Sequence, residues 1–182
     1  MNDELFRLIH GAKKGNEQAY NKLVVMYKEK VYRHAFAMLH DRTGAEDITQ
    51  EAFIKAYYSL NRLEHEYAFV SWLTRIVHNL CQDRLKKQKR EAKKQAKMRA
   101  DLPLRYSEKH EGEQVNMKLS IQEAMQQLSS EHRSVLILCD LEGFSYEEIS
   151  HILKIPLGTV KSRIYQARNY LKSELKRGED YD

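Results

Sequence analysis

The chain has 182 residues, 42% of them apolar and 31% charged, with a formal net charge of +5 and a pI of about 9.1. That length fits one domain or two small ones, and the basic balance favours an anionic partner such as nucleic acid. Seven glycines and two prolines punctuate the chain too rarely for a many-stranded sheet, so the composition predicts an all-α protein. No apolar run reaches the length of a membrane span, and MNDELFRLIH lacks the basic-then-apolar order of a secretory signal; a cytoplasmic protein is expected. Cys81 and Cys139 stand alone in helical context and read as free thiols.

From Asn2 to about Asn61 the period is helical: Leu5, Leu8 and Ile9, then Ala19, Leu23, Tyr27, Val31 and Ala35, with Gly11 and Gly15 as punctuation. A polar interruption spans Leu39 to Gly44, after which Ala45, Ile48, Ala52, Phe53 and Ala56 form another stripe. Beside it lie Glu46, Asp47, Gln50 and Glu51, with Asp47 and Glu51, four apart, on one side of the helix. Such carboxylates either answer the dipole of the helix N-terminus or face a partner. Leu60 to Ala68 breaks the period and reads as a loop. Phe69, Trp72, Leu73, Ile76, Val77 and Leu80 open a further helix, in which the Trp72 indole is either core or a stacking platform for a base. Arg84, Lys86, Lys87, Lys89, Arg90 and four more cations follow, opposed only by Glu91: a solvated run, or one that tracks a phosphate backbone.

Asp101 to Asn116 has no apolar period and reads as a linker. A second domain begins near Met117, with Ile121, Met125 and Leu128 on one helix, a cap at Ser129-Ser130-Glu131, and Val135, Leu136, Leu138 and Leu141 on the next, ended by Gly143. Ser145 and Glu148 have the spacing of a capping box, and Ile149, Ile152 and Leu153 share a face. Ile155-Pro156 ends that helix and starts another, whose stripe is Val160, Ile164, Ala167 and Leu171. Its other face carries Lys161, Ser162, Arg163, Tyr165, Gln166 and Arg168. Two helices joined by a short turn, the second rich in base- and phosphate-capable groups, predict a helix-turn-helix; an ordinary helical hairpin with a solvated basic face is the alternative.

Catalytic chemistry finds little support. His78 and Cys81 could share a helical face, but no partner pair has the spacing of a structural zinc site. Glu46, Asp47 and Glu51 could be imagined as the metal ligands of a nuclease, yet no second acidic cluster, phosphate loop or nucleophile motif accompanies them. A protein without enzymatic activity, cofactor or metal is expected.

Together, GAEDITQEAFIKAY, FVSWLTRIVHNLCQDRLKK and YEEISHILKIPLGTVKSRIYQARNYL resemble, in order and over most of the chain, bacterial RNA polymerase sigma factors of the extracytoplasmic-function group of the sigma-70 family. The resemblance implies two small helical domains joined by a flexible linker. Residues 1–100 would be region 2, which binds core polymerase and recognises and melts the −10 element; 101–116 the linker; and 117–182 region 4, whose helix-turn-helix reads the −35 element. It implies that Asp47, Gln50 and Glu51 grip the coiled-coil clamp of the polymerase β′ subunit and that region 4 meets the β flap. Asn61, Phe69, Trp72, Arg75, Asn79, Asp83, Arg84, Lys86 and Lys87 would serve −10 binding and melting, with Leu73 in the same segment and residues Asn61 to Ala68 as the loop that selects a flipped base. Thr159, Lys161, Ser162, Arg163, Tyr165, Gln166 and Arg168 would serve the −35 element, Arg163 and Arg168 as phosphate or structural contacts. Promoter DNA and an anti-sigma factor complete the implied partners.

Two positions depart from the family pattern. Gln166 stands where arginine is common, replacing a guanine reader by an amide suited to adenine. Lys154 holds a turn position often given to glycine, which costs on the order of 1 kcal/mol if the residue is left-handed. The residues alone also admit a polymerase-independent helix-turn-helix DNA-binding regulator.

Overall fold

The computed structural model describes residues 3–100 and 121–179. Among these there are eight α-helices and no strands, arranged as two helical domains. The linker expected over 101–116, and Met117, lie outside the described residues.

The first domain consists of α1 (Asp3–Lys13), α2 (Glu17–Leu39), α3 (Arg42–Ser59) and α4 (Phe69–Ala100). Gly15, at φ 86°, makes the turn between α1 and α2, and the Asn16 side chain caps α2 by accepting from the Ala19 amide at 3.0 Å. Gly11 lies inside α1 instead of ending it. A Cβ there would meet the Ala19 Cβ at 3.2 Å, so Gly11 is what lets α1 lie close on α2. The polar interruption also shrinks. His40 closes α2 in the left-handed region, its amide bonded to the Phe36 carbonyl, and Arg42, Thr43 and Gly44 already belong to α3. The stripes read from the sequence converge: Leu23, Val31, Ala35, Met38, Ile48, Ala52, Phe69, Leu73 and Val77 form one core, each large side chain contributing about 1.5–3 kcal/mol.

The second domain is built from α5 (Ile121–Gln127), α6 (Ser130–Leu136), a π turn over Ile137–Leu141, α7 (Tyr146–Leu153) and α8 (Leu157–Glu179). Ser129 caps α6 through the His132 amide, and Ser145 with Glu148 forms the expected capping box on α7. Lys154 ends α7 at φ 54°, ψ 46°, which identifies it as the left-handed turn residue. Ile149, Ile152, Val160, Ile164 and Ala167 close the core between α7 and α8. Leu141 departs from its assigned stripe and is 55% exposed, because the wider π turn rotates the residues after Leu138 away from the helical register. Ile121, placed on an apolar face by its spacing, is also exposed.

The domains pack against each other. α6, the π turn and α7 lie on α2 and α4, and Ile137, 1% exposed, belongs to the first domain's core. Arg133 joins the two. Its guanidinium donates to the Met38 carbonyl in the last turn of α2 (2.6 Å) and to Met125, Gln126 and Leu128 carbonyls of its own domain (2.9, 2.6 and 3.1 Å).

Candidate polymerase and nucleic-acid interfaces

The segment between α3 and α4 is more ordered than a plain loop. Two 3₁₀ turns, Leu60–Arg62 and Glu66–Ala68, are anchored by the buried side chains of Leu60 and Leu63. Lys13 reaches across from α1, donating to the Leu63 carbonyl at 2.8 Å and to the Glu66 carboxylate at 3.2 Å. The Glu66 carboxyl is held below its ordinary range, first by a bond from its own backbone amide and then by Lys13. The sequence signal was the Leu60/Leu63 spacing, which is too short for a periodicity argument to weigh.

Phe69 and Trp72 part company. Phe69 is 1% exposed and meets Tyr27 edge-on, with ring centroids 5.5 Å apart. Its expected place among the DNA-contacting residues is therefore corrected to a core position, one that supports Trp72, whose ring lies 6.0 Å away. Leu73 is core as well. Trp72 is half-buried and borders two cavities. One, of about 270 Å³, lies under the 60–68 segment and is lined by Leu63, His65, Ala68, Trp72 and Arg75 together with His151 and Ile152 of α7. The other, of about 680 Å³, is an open groove lined by Glu51, Ile54, Tyr58, Trp72, Ile76 and Asn79. The second cavity brings Glu51 and Trp72, assigned to different partners, to one surface. Asn61, Asp83, Lys86 and Lys87 are exposed and Arg75 is half-buried; Asp83 and Lys86 line a separate groove shared with Asn79, Glu131 and Arg163.

Asp47, Gln50 and Glu51 form an exposed strip on α3, flanked by Glu46. Arg84 ties this strip to α4: its guanidinium donates to Asp47 at 3.1 Å and to Asp41 at 3.5 Å. In this arrangement Arg84, expected to serve DNA, is occupied by carboxylates. Gly44 sits beneath that pairing, and a Cβ there would run into the Asp41 carboxylate. Periodicity did not single out two aromatic groups on this side: Tyr58, 82% exposed, and Tyr67, 71% exposed and stacked on His65. Both lie off the apolar stripes, which is itself the signal of a surface aromatic.

On α8, Lys161, Ser162, Tyr165 and Gln166 point outward, while Thr159 and Arg163 are half-buried. The Ser162 hydroxyl donates to the Thr159 carbonyl at 3.1 Å, and the Gln166 carbonyl oxygen lies 3.0 Å from His132 Nε2. Arg168 pairs with Asp140 at 2.5 Å, and this bond raises the guanidinium's pKa further. Of its two expected roles, phosphate or structural, the geometry favours the structural one. Among the described residues, Lys161 and Tyr165 have no such tether.

The two domains match separate family descriptions: Sigma-70 region 2 over residues 23–91 and Sigma-70, region 4, over residues 118–171. The extracytoplasmic-function (ECF) RNA polymerase sigma factor SigW of Bacillus subtilis is 36% identical over 177 residues, covering 92% of this chain and 95% of the relative. The chain belongs to the ECF sigma factors. The ECF RNA polymerase sigma-E factor of Escherichia coli K12 is 32% identical over 178 residues, covering 92% of each chain. The RNA polymerase sigma-H factor of Pseudomonas aeruginosa is 31% identical over 183 residues, covering 93% and 92%. Among solved structures, the sigma factor RpoE of Bartonella quintana, bound to the anti-sigma factor NepR, superposes with a TM-score of 0.69 at 25% identity, covering 86% of this chain and 96% of that one. CnrH, bound to the cytosolic domain of CnrY, gives 0.68 at 22% identity over 93% and 96%, a likeness of fold. As an ECF sigma factor the protein is an alternative specificity subunit, one that directs RNA polymerase to promoters. No helix among the described residues is long and apolar enough to cross a membrane.

Proposed function

We propose that this ECF sigma factor reads its promoter with two separate surfaces and grips polymerase with a third that adjoins the first. Residues 1–100 act as region 2 and residues 117–182 as region 4, with 101–116 as the link between them. Asp47, Gln50 and Glu51 present carboxylates and an amide to the β′ clamp coiled coil, and region 4 meets the β flap. The observation that carries this reading is the groove in which Glu51 lines one side and Trp72 and Asn79 the other. A polymerase element seated on the acidic strip is thereby next to the residue that would stack on an unpaired base.

Melting then follows from ordinary energetics. Extruding a base costs a few kcal/mol, and stacking on an aromatic ring returns about 1–3 kcal/mol per base. Trp72 supplies the ring, Arg75 and Asn79 the polar contacts, and Asn61, Asp83, Lys86 and Lys87 the rim, while the 60–68 segment selects the base beneath it. On α8, Thr159, Lys161, Ser162, Tyr165 and Gln166 approach the −35 element, with Gln166 suited to adenine once it leaves His132. Positioning and strand separation need no covalent step, so the protein works in the cytoplasm without catalysis or cofactor of its own. The Bartonella quintana sigma factor solved with the anti-sigma factor NepR supports an anti-sigma partner here as well.

The test is reconstitution with core polymerase. Asp47→Ala with Glu51→Ala should weaken assembly with polymerase, and a fully stable complex would contradict the assignment of the acidic strip. Duplex binding by the isolated chain, at the affinity of the reconstituted enzyme, would favour a polymerase-independent regulator instead.

A further inference from the structure

Immediately after the π turn, Glu142 leaves its own domain. Its carboxylate is 5% exposed and sits in a slot between α2 and α4: His34 Nδ1 donates to one oxygen, while the Thr74 hydroxyl (3.5 Å) and Lys30 Nζ (3.7 Å) meet the other. His34 is itself 2% exposed. Lys30 also lies over the Phe144 ring, 5.1 Å from its centroid. The π turn is what aims the residue: the Glu142 amide closes back on the Ile137 carbonyl at 3.0 Å, so the chain exits toward the first domain with Ile137 already in that domain's core.

We propose that Glu142 is an intramolecular latch that holds region 4 on region 2 in the free factor, and that α7 thereby walls one side of the cavity beside Trp72 and narrows access to it. This rests on the reading of that cavity as the −10 base site. The residues that α7 contributes to its wall are His151 and Ile152. A carboxylate is well suited to a latch and poorly suited to permanent glue. Its desolvation is compensated only while all three partners are in place, and water can replace them when the domains part. Arg133 has the same character: three of its four hydrogen bonds stay within region 4 on opening, and only the one to Met38 is lost. Closed, the factor presents the two DNA readers as one packed body; open, it frees the cavity and lets the readers separate.

Trp72 is the chain's one tryptophan, so its fluorescence reports on the cavity that α7 helps to wall. The experiment uses the full chain and three variants: Glu142→Gln, which keeps the shape, Glu142→Lys, which sets a cation against Lys30, and Glu142→Lys combined with Lys30→Glu. Circular dichroism establishes that each is folded. Acrylamide quenching of Trp72 and the radius of gyration from small-angle scattering are then measured, with binding of a fluorescein-labelled, randomised single-stranded oligonucleotide pool. In Glu142→Lys, and to a lesser degree in Glu142→Gln, quenching and radius should rise; in the exchanged pair they should return toward the starting values. Oligonucleotide affinity should rise roughly tenfold if the closed form holds nine-tenths of the molecules, since apparent affinity scales with the competent fraction. Unchanged quenching and radius in both single variants would overturn the latch. Opening without any gain in oligonucleotide binding would leave the latch standing and overturn the reading of that cavity as a base site. If Glu142→Lys does not fold, Glu142→Gln alone decides between these outcomes.

Discussion

His78 offers a stability measurement with a definite sign. It is 7% exposed on α4, edge-on to His34 at 6.2 Å, and its Nδ1 has no hydrogen-bond partner among the described residues. Burial, with smaller contributions from His34 and Lys86, lowers its pKa from 6.5 to about 3. Lys55, Asp83, Glu131 and Arg163 line the same interdomain groove. Because the folded state refuses the proton that the unfolded chain accepts, stability is intact above pH 6.5 and falls as the pH drops, until the buried ring itself titrates near pH 3. Between pH 8 and pH 5 the loss from this residue is about 2 kcal/mol, obtained from the two pKa values. In urea titrations that is a fall in midpoint of about 1 M. His78→Leu removes the titrating ring at similar volume and leaves no orphaned nitrogen, so its margin over the parent should be larger at pH 5 than at pH 8 by that amount. Parallel stability profiles for the two proteins would refute the argument.

Other consequences are as direct. Phe69→Ala should cost about 3–5 kcal/mol of stability by leaving a cavity in the first core, whereas Trp72→Ala, at a half-buried site, should cost much less and act on promoter opening; comparable denaturation midpoints for the two would contradict this division. Lys154→Gly should stabilise the protein by up to about 1 kcal/mol, since glycine adopts the left-handed turn without a Cβ penalty, and a loss of stability would show that the lysine makes a contact that matters. Cys81 is fully buried with its thiol pushed up to about 12 by desolvation, so it should resist a thiol reagent in the native protein while half-buried Cys139 reacts. Lys161→Ala should weaken promoter binding with a reduced salt slope, and Gln166→Ala should relax base preference in the −35 element by about 1–3 kcal/mol; an effect confined to the −10 element would contradict both.

Much of this architecture can be read from residues alone, because most stripes are long and strongly periodic. The capping box at Ser145 and Glu148 and the Val160–Ile164–Ala167 stripe mark the helix-turn-helix in the residues themselves, since cap chemistry and burial point the same way. Short elements were less legible. Leu141 has the spacing of a helical stripe, but a π turn carries no compositional mark and moves it outward. Gly11 has the look of a terminator, yet its role is a close approach to Ala19, a contact between helices that sequence spacing does not encode. For the candidate sites, aromatic type could not separate Phe69 from Trp72: both lie on one stripe, and only the packing of Tyr27 decides which is closed off. Glu142 was invisible for a related reason. An isolated glutamate beside a glycine reads as a solvated loop residue, and its partners Lys30, His34 and Thr74 lie far away in sequence.

The central claim is that Trp72 opens DNA while the acidic strip on α3 holds polymerase. It is tested most directly by reconstituting Trp72→Ala with core polymerase and following strand separation at a cognate promoter by permanganate reactivity. The account predicts assembly with polymerase close to that of the parent and a loss of open complex of at least tenfold, the equivalent of about 1.4 kcal/mol. Equal loss of assembly and opening would contradict it and make Trp72 a structural residue like Phe69.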